Sequence, residues 1–435
     1  MQRRTRSRFD PAFVLAFALS ITGCVIIDPN AMLCAVGTET CSCTPGGGCD
    51  PGLSCEAMVC IGPGGSSGSS GTIGSDGSGT STTVGPGTDS SSDGGSSTGA
   101  DGGPNLVFVT STLHTGGSLG GVEGADAICQ GRAEAAGLTG SYRAWLSVLG
   151  NDARDRLAGA RGWLRTDGKP FARDLQQVLA GEFFFPPVTD ESGNEVPVPD
   201  YVWTGTTADG VAYDVDGTSL CSGWTEDLAE GFSGIGGLGA GAGWWTDYAF
   251  QPCTATARLL CFGVDADSDI TVETTEGRRA FVSAQWLPAT AGRDAADAAC
   301  ASEAGGAGLA GTFLALVANT GESPGARMNT GGAPWVRADG MPIFHDGDPL
   351  GLTMATPVMF DATGATTPLA ISWAGSYGVG ELATDADNCT NWTSASGFAA
   401  MFNVWHVHWQ GWTIDGHSMS QECAQGGYGV ICLEQ

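Results

Sequence analysis

The sequence predicts an α+β fold built twice in tandem and stapled by disulfides, and three observations carry that expectation. First, Gly121 to Ser147 reads as a helix, a glycine stop and a strand, and the pattern recurs from Asp294 to Ala318 with a cysteine, a Gly-Leu-x-Gly corner and an alternating strand at the same offsets. Second, Cys129, Cys221, Cys253 and Cys261 are matched by Cys300, Cys389, Cys423 and Cys432, at offsets of 171, 168, 170 and 171 residues. Third, Trp163-x-Arg165-x-Asp167-Gly168 and Val202-Trp203-x-Gly205 return in the same order as Trp335-x-Arg337-x-Asp339-Gly340 and Ser372-Trp373-x-Gly375. Landmarks repeated in one order at near-constant spacing mark a duplication.

In chain order, residues 1–23 read as an export signal. Arg3, Arg4, Arg6 and Arg8 precede an apolar run from Ala12 to Ile21, which is shorter than the roughly 20 residues of a membrane span. The run ends in Ile21-Thr22-Gly23-Cys24, which resembles a bacterial lipobox. That resemblance implies cleavage before Cys24 and acylation of it, and several acyl chains on one residue anchor stably. Val25 rather than Asp in the next position points to an outer-membrane or cell-surface address, with residues 24–33 as the lipidated N-terminus. Cysteine arithmetic agrees, because 15 cysteines less Cys24 leave an even 14.

Residues 34–60 hold Cys34, Cys41, Cys43, Cys49, Cys55 and Cys60 with almost nothing apolar to bury. A segment this small needs staples, and in an exported chain disulfides are preferred to a thiolate metal cluster. Fifteen connectivities are possible and the sequence does not choose among them. Residues 61–104 are Gly, Ser, Thr and Asp with scattered Pro and no aromatic residue, Lys or Arg. Too little apolar surface is present to offset ordering, so this is a disordered linker, spanning roughly 36 Å on average and about 145 Å when drawn straight.

The repeats follow at 105–265 and 278–435. In the first helix Val122, Ala125, Cys129, Ala133 and Ala136 share one face, and Gly137 stops it with Leu138 folding back over the last turn. In the strand, Tyr142, Ala144 and Leu146 lie on one side, with Arg143, Trp145 and Ser147 on the other.

These residues resemble the endostatin domains of certain collagens, which have the C-type lectin-like fold. The likeness rests on the Gly124-Ala125-Asp126-x-x-Cys129 helix, on Gly137-Leu138-x-Gly140-x-Tyr142-Arg143-Ala144-Trp145-Leu146-Ser147, and on Val202-Trp203-x-Gly205 leading into Cys221-x-x-Trp224. It implies nested disulfides, Cys129 with Cys261 and Cys221 with Cys253, then Cys300 with Cys432 and Cys389 with Cys423. Bacterial lipoproteins carrying this domain are the nearer expected relatives. Two family properties do not carry over. Heparin binding through arginine clusters conflicts with the charge balance, and the N-terminal histidine zinc site has no counterpart. The Glu-Pro-Asn and Gln-Pro-Asp loops of sugar-binding lectins are also missing, leaving Cys389-Thr390-Asn391-Trp392 as a faint echo.

Lys plus Arg total 18 against 47 Asp plus Glu, a net charge of −29. Such a field argues against nucleic acid, heparin-like polyanions and anionic head groups as partners. Acidic pairs before the second cysteine of each repeat, Asp214 and Asp216 (with Asp209 nearby) and Asp385 and Asp387 (with Asn388), suggest calcium, although neither completes a twelve-residue loop. His406, His408 and His417 have the ligand type for zinc, but the flanking Trp405, Trp409 and Trp412 favour a packed or stacking surface, and no cofactor is assigned. Trp244, Trp245, Trp409 and Trp412 are the candidate ligand-stacking residues. No Ser-His-Asp set and no Lys-Ser or Lys-Thr after the glycine-rich run 234–243 is present, so no catalytic residue is assigned. The sequence therefore predicts a surface-anchored adhesion or ligand-binding module for a glycan or an extracellular protein. A structural envelope protein without a soluble ligand is the alternative, and a hydrolase a more remote one.

Overall fold

The computed structural model describes residues 103–198, 200–213, 220–227, 231–409, 420–424 and 426–435, with the backbone of a short hairpin at Ser54–Glu56 and Val59–Ile61. The chain divides into two compact units, Met1–Asp93 and Gly94–Gln435. In the first, the hairpin pairs antiparallel with Cys55 opposite Cys60. The expected export signal, Cys24, Cys34, Cys41, Cys43, Cys49 and the linker from 62 to 102 lie outside the described residues. Among the described residues no helix is long and apolar enough to cross a membrane.

The second unit is mixed α+β with open sheets. Its first half runs β1 (Asn105–Val109), α1 (Gly121–Ala135), β2 (Tyr142–Ala144), β3 (Trp163–Arg165), β4 (Pro170–Ala172), α2 (Leu175–Ala180), β5 (Tyr201–Trp203), β6 (Phe232–Gly237), β7 (Ala249–Pro252) and β8 (Leu260–Gly263). Its second half runs β9 (Arg278–Val282), α3 (Arg293–Gly306), β10 (Phe313–Ala315), β11 (Trp335–Val336), β12 (Ile371–Trp373), β13 (Phe398–Asn403), β14 (Ser420–Glu422) and β15 (Gly429–Glu434). The first half forms a five-stranded sheet in the order β2-β8-β1-β3-β4 and a three-stranded sheet β7-β6-β5. In the second half one seven-stranded sheet joins the equivalents, β11-β9-β15-β12-β13-β14, with β10 also on β15. The difference lies at one junction. β12 and β15 pair in parallel through Ser372–Gly429 and Trp373–Val430, whereas in the first half the same junction shrinks to a single bridge, Val202–Arg258.

Each helix ends as its sequence dictates. Gly137 and Gly308 take φ of 74° and 73°, a region a β-carbon disfavours. The amides of Leu138 and Leu309 then donate back to Ala133 O and Ala304 O, at 2.9 and 2.8 Å, closing Schellman turns. The motif aspartates fix each helix to the next strand: Asp126 Oδ1 accepts from Ala144 N at 2.9 Å, and Asp297 Oδ1 from Ala315 N at 2.8 Å. An arginine completes each pair, Arg156 on Asp126 and Arg327 on Asp297.

Alternation along the central strands sends side chains into two cores. Phe108 and Cys261 face α1 with Val122, Ala125 and Ala133, while Val107, Val109, Leu260 and Phe262 face the other way. Tyr142, Ala144 and Leu146 lie on the helix side as predicted, but the opposite face is no surface. Trp145 is fully buried there, its ring centroid 4.8 Å from that of Trp245 and 5.8 Å from that of Phe262. Four disulfides tie these layers: Cys129–Cys261, Cys221–Cys253, Cys300–Cys432 and Cys389–Cys423. The first and third join helix to closing strand across 132 residues, with Cα atoms 5.5 and 5.4 Å apart.

Candidate functional site

The repeated Trp-x-Arg-x-Asp-Gly stretch is a tight hairpin. Arg165 N donates to Lys169 O at 2.8 Å and Arg337 N to Met341 O at 2.9 Å, with Gly168 and Gly340 at φ of 85° and 80°. The turn folds each aspartate onto its arginine in a two-point pair. Arg165 Nε and Nη2 reach Asp167 at 3.0 and 2.6 Å, and Arg337 Nε and Nη2 reach Asp339 at 3.1 and 2.6 Å. Both guanidinium groups are buried, where an unpaired charge would be heavily penalised. Each also donates from Nη1 to a proline carbonyl of its own repeat, Pro186 at 3.0 Å and Pro357 at 3.3 Å.

These hairpins flank the junction of the two repeats. Three residues beyond the ends of β6 and β13, the equivalent residues Ala240 and His406 pair antiparallel. Gly241 N donates to Trp405 O at 2.6 Å, and Val407 N donates to Gly239 O at 3.0 Å. Equivalent groups exchanging reciprocal bonds define a local two-fold, as in an isologous dimer contact. Close approach requires glycine. A β-carbon on Gly239, which has φ of 83°, would lie 2.8 Å from Val407 Cγ2, and one on Gly241 would lie 2.7 Å from Met359 Sδ. The glycine-rich run that holds no phosphate signature thus serves the contact between repeats.

The two-fold is broken on one side. Where Arg337 sits, the junction is closed: Nη2 donates to Phe183 O at 2.7 Å, Thr366 Oγ1 donates to Glu182 Oε1 at 2.6 Å, and Met341 packs with Phe184 and Phe185. The equivalent surfaces on the other side part into a cleft of about 320 Å³. Arg165, Lys169 and Glu195 line one wall, and His345, Thr353 and Met354 line the other. Lys169 stands where the second repeat has Met341, and Glu195 where it has Thr366, as the matching bridges Thr189–Glu195 and Phe360–Thr366 show. Thr353 precedes Met354 as Glu182 precedes Phe183. Lys169 is the only lysine in the sequence, a compositional signal that could have drawn attention to this wall. The cleft itself was not legible, because its walls come from residues up to about two hundred positions apart.

His406 lies at the centre of the junction, fully buried. Nε2 donates to Leu238 O at 2.9 Å, and Nδ1 accepts from His408 N at 2.9 Å, so the ring is held neutral with its proton on Nε2. Burial pushes its pKa down to about 4, against the bond to Leu238 O, which works upward. The zinc reading of His406 and His408 is therefore replaced by a structural role, and His417 lies outside the described residues.

Of the tryptophans predicted to stack a ligand, Trp245 and Trp409 are corrected to core residues. Trp245 sits among Trp145 and Phe183, and Trp409 among Phe344 and Phe402 with Nε1 donating to Gly351 O at 2.6 Å. Both lie in turns beyond the strands, covered by these aromatic neighbours, and neither keeps a solvent side. Trp244 is half-buried and meets Trp405 edge-on across the repeat boundary at 5.7 Å. Trp412 lies outside the described residues, as do Asp214 and Asp216. Asp385 Oδ1 accepts from Thr320 Oγ1 at 2.5 Å, tying its loop to a residue 65 positions earlier, and Asp387 Oδ2 accepts from Thr384 Oγ1 at 2.5 Å within its own loop. Among the described residues, no group of three or more His, Cys, Asp or Glu side chains is placed to hold a metal ion.

The second cysteine of each repeat opens a turn that sequence reasoning missed. Cys221 to Trp224 and Cys389 to Trp392 have φ between 49° and 68° throughout, a single left-handed helical turn in each repeat. Such a turn costs roughly 1–2 kcal/mol for each residue bearing a β-carbon. It is held by its disulfide and by the indole, Trp224 Nε1 donating to Ser147 O at 2.9 Å and Trp392 Nε1 to Ala318 O at 2.8 Å. No protein-family model and no curated protein matches the sequence.

Proposed function

We propose that this chain is an exported, envelope-anchored binding module whose two endostatin-like, C-type lectin-like domains act as one body and take an extracellular ligand at their junction. The observation that carries the reading is the broken two-fold. One side of the junction is sealed by Arg337 and Phe183, while the equivalent side opens into a cleft lined by Arg165, Lys169, Glu195 and His345. Concave sites with a few convergent polar groups between domains are where ligands bind.

The lectin-like assignment is supported by the nested disulfides, which pair as the resemblance implies, in both repeats. Export is supported by the same bridges, which persist in oxidising compartments, and by the basic and apolar N-terminal segment ending in Cys24. The reading is one of binding rather than turnover, and of a ligand that is not nucleic acid or a heparin-like chain, given the net charge of −29.

An array of glycans and extracellular proteins, probed with the full chain, tests it. Reproducible hits weakened by Lys169→Gln or Glu195→Gln support binding at the junction. Uniform silence, with the chain folded, would leave the structural envelope role as the better account.

A further inference from the structure

We propose that the open cleft takes a small carboxylate-bearing molecule, with Arg165 and Lys169 holding the carboxylate while Glu195 on the same wall and Thr353 on the opposite one meet its hydroxyl or ammonium groups. This rests on the reading of the junction as a ligand site and names the chemistry of the ligand.

The sealed half of the junction shows what its arginine takes. Arg337 Nη2, already bound to Asp339, places its second bond on an oxygen, the Phe183 carbonyl 2.7 Å away. On the open half Arg165 Nη2 holds Asp167 in the same way at 2.6 Å and, among the described residues, has no second acceptor. An incoming oxygen occupies the position that the sealed half fills with peptide backbone.

Lys169 decides that this oxygen is anionic. Its Nζ lies 3.9 Å from Asp167 Oδ2, the same atom that Arg165 Nη2 holds. Guanidinium and ammonium therefore flank one point, where the sealed half has an arginine and a methionine. Asp167 offsets one of the two charges, and one carboxylate oxygen suits the second bond that Arg165 Nη2 can donate beside the ammonium. In a chain with a net charge of −29, the only lysine is placed at this wall. The volume of about 320 Å³ limits the ligand to the scale of an acidic monosaccharide or a dipeptide. Glu195 replaces Thr366 of the sealed half and, with Thr353 on the opposite wall, gives acceptors for the ligand's hydroxyl or ammonium groups.

A single lysine makes the test direct. The full chain is treated with an amine acetylating reagent, and the rate of modification at Lys169 is read by peptide mass spectrometry. The additions are sodium glucuronate, N-acetylneuraminate, glycylglycine or glucose, and calorimetry with Lys169→Gln and Glu195→Gln runs alongside. The expected result is that at least one carboxylate slows acetylation at Lys169 while glucose does not. Lys169→Gln should weaken that ligand roughly tenfold or more without moving the melting temperature. The sugar acids against the dipeptide separate the two sources of the carboxylate. Equal protection by glucose and glucuronate would overturn the carboxylate assignment while leaving the junction as a ligand site. Array hits that persist unchanged in both variants, with no protection at Lys169 by any addition, would overturn the cleft itself.

Discussion

Arg337 of the second repeat donates to the carbonyl oxygen of Phe183 in the first, 2.7 Å away, while its equivalent Arg165 faces an open cleft. The two arginines share a motif, a turn and an aspartate partner, and differ in what the opposite repeat presents. Replacing Arg337 with alanine leaves Asp339 and the Phe183 carbonyl without their shared donor at a buried boundary, at an expected cost of about 3–5 kcal/mol. Urea unfolding should show the loss, and Asp339→Ala in the same chain should add much less than its own single-mutant effect. Simple additivity would show that the pair does not act as a unit.

Acid should loosen the junction through His406. Its folded pKa of about 4 lies below the unfolded value of 6.5, so the unfolded chain binds the proton more readily. Stability from the neutral ring is therefore fully present above about pH 6.5 and is lost as pH falls toward 4, by about 3 kcal/mol. His408, also pushed down by burial, adds to the loss in the same direction. Melting curves between pH 7 and pH 4 check this, and His406→Gln should flatten the dependence. An equally steep slope in that variant would place the acid sensitivity elsewhere.

Removing the long bridge by Cys129→Ser with Cys261→Ser should lower stability by about 5 kcal/mol in the chain-entropy account, and Cys221→Ser with Cys253→Ser by about 4 kcal/mol. The weak dependence on loop size follows from the logarithm, since the separations are 132 and 32 residues. The second pair should also release the left-handed turn at Cys221 to Trp224, visible as faster amide exchange at Trp224. Identical exchange would mean the indole alone holds the turn.

Gly239→Ala should cost about 1–3 kcal/mol, because φ of 83° strains any β-carbon and Val407 Cγ2 lies 2.8 Å from where it would sit. The damage is to the junction, so limited proteolysis between the repeats should accelerate before the cores melt. Gly137→Ala has no neighbour within 4 Å and should show the backbone cost alone.

Much of the scaffold was legible in the sequence. The helix face Val122, Ala125, Cys129 and Ala133, the stop at Gly137 and the alternation of Tyr142, Ala144 and Leu146 follow from local periodicity, which acts within one element. Trp245 ends a 3-10 turn and Trp409 lies in a turn, and aromatic character along the chain does not reveal that other segments cover both. Asp385 and Asp387 show a related limit, since in one dimension alternating carboxylates could equally serve an ion or accept from nearby hydroxyls, as both do here.

The sequence by itself determined the duplication, the α+β class and the cysteine positions, because each is written in spacing. Tertiary structure alone decided that equivalent residues Ala240 and His406 meet on a local two-fold, and that the junction seals around Arg337 and opens around Arg165. Those outcomes depend on which surfaces two distant segments present to one another. Lys169 in place of Met341 and Glu195 in place of Thr366 are small changes along the chain, and they line a cleft only when the fold sets both against the opposite repeat.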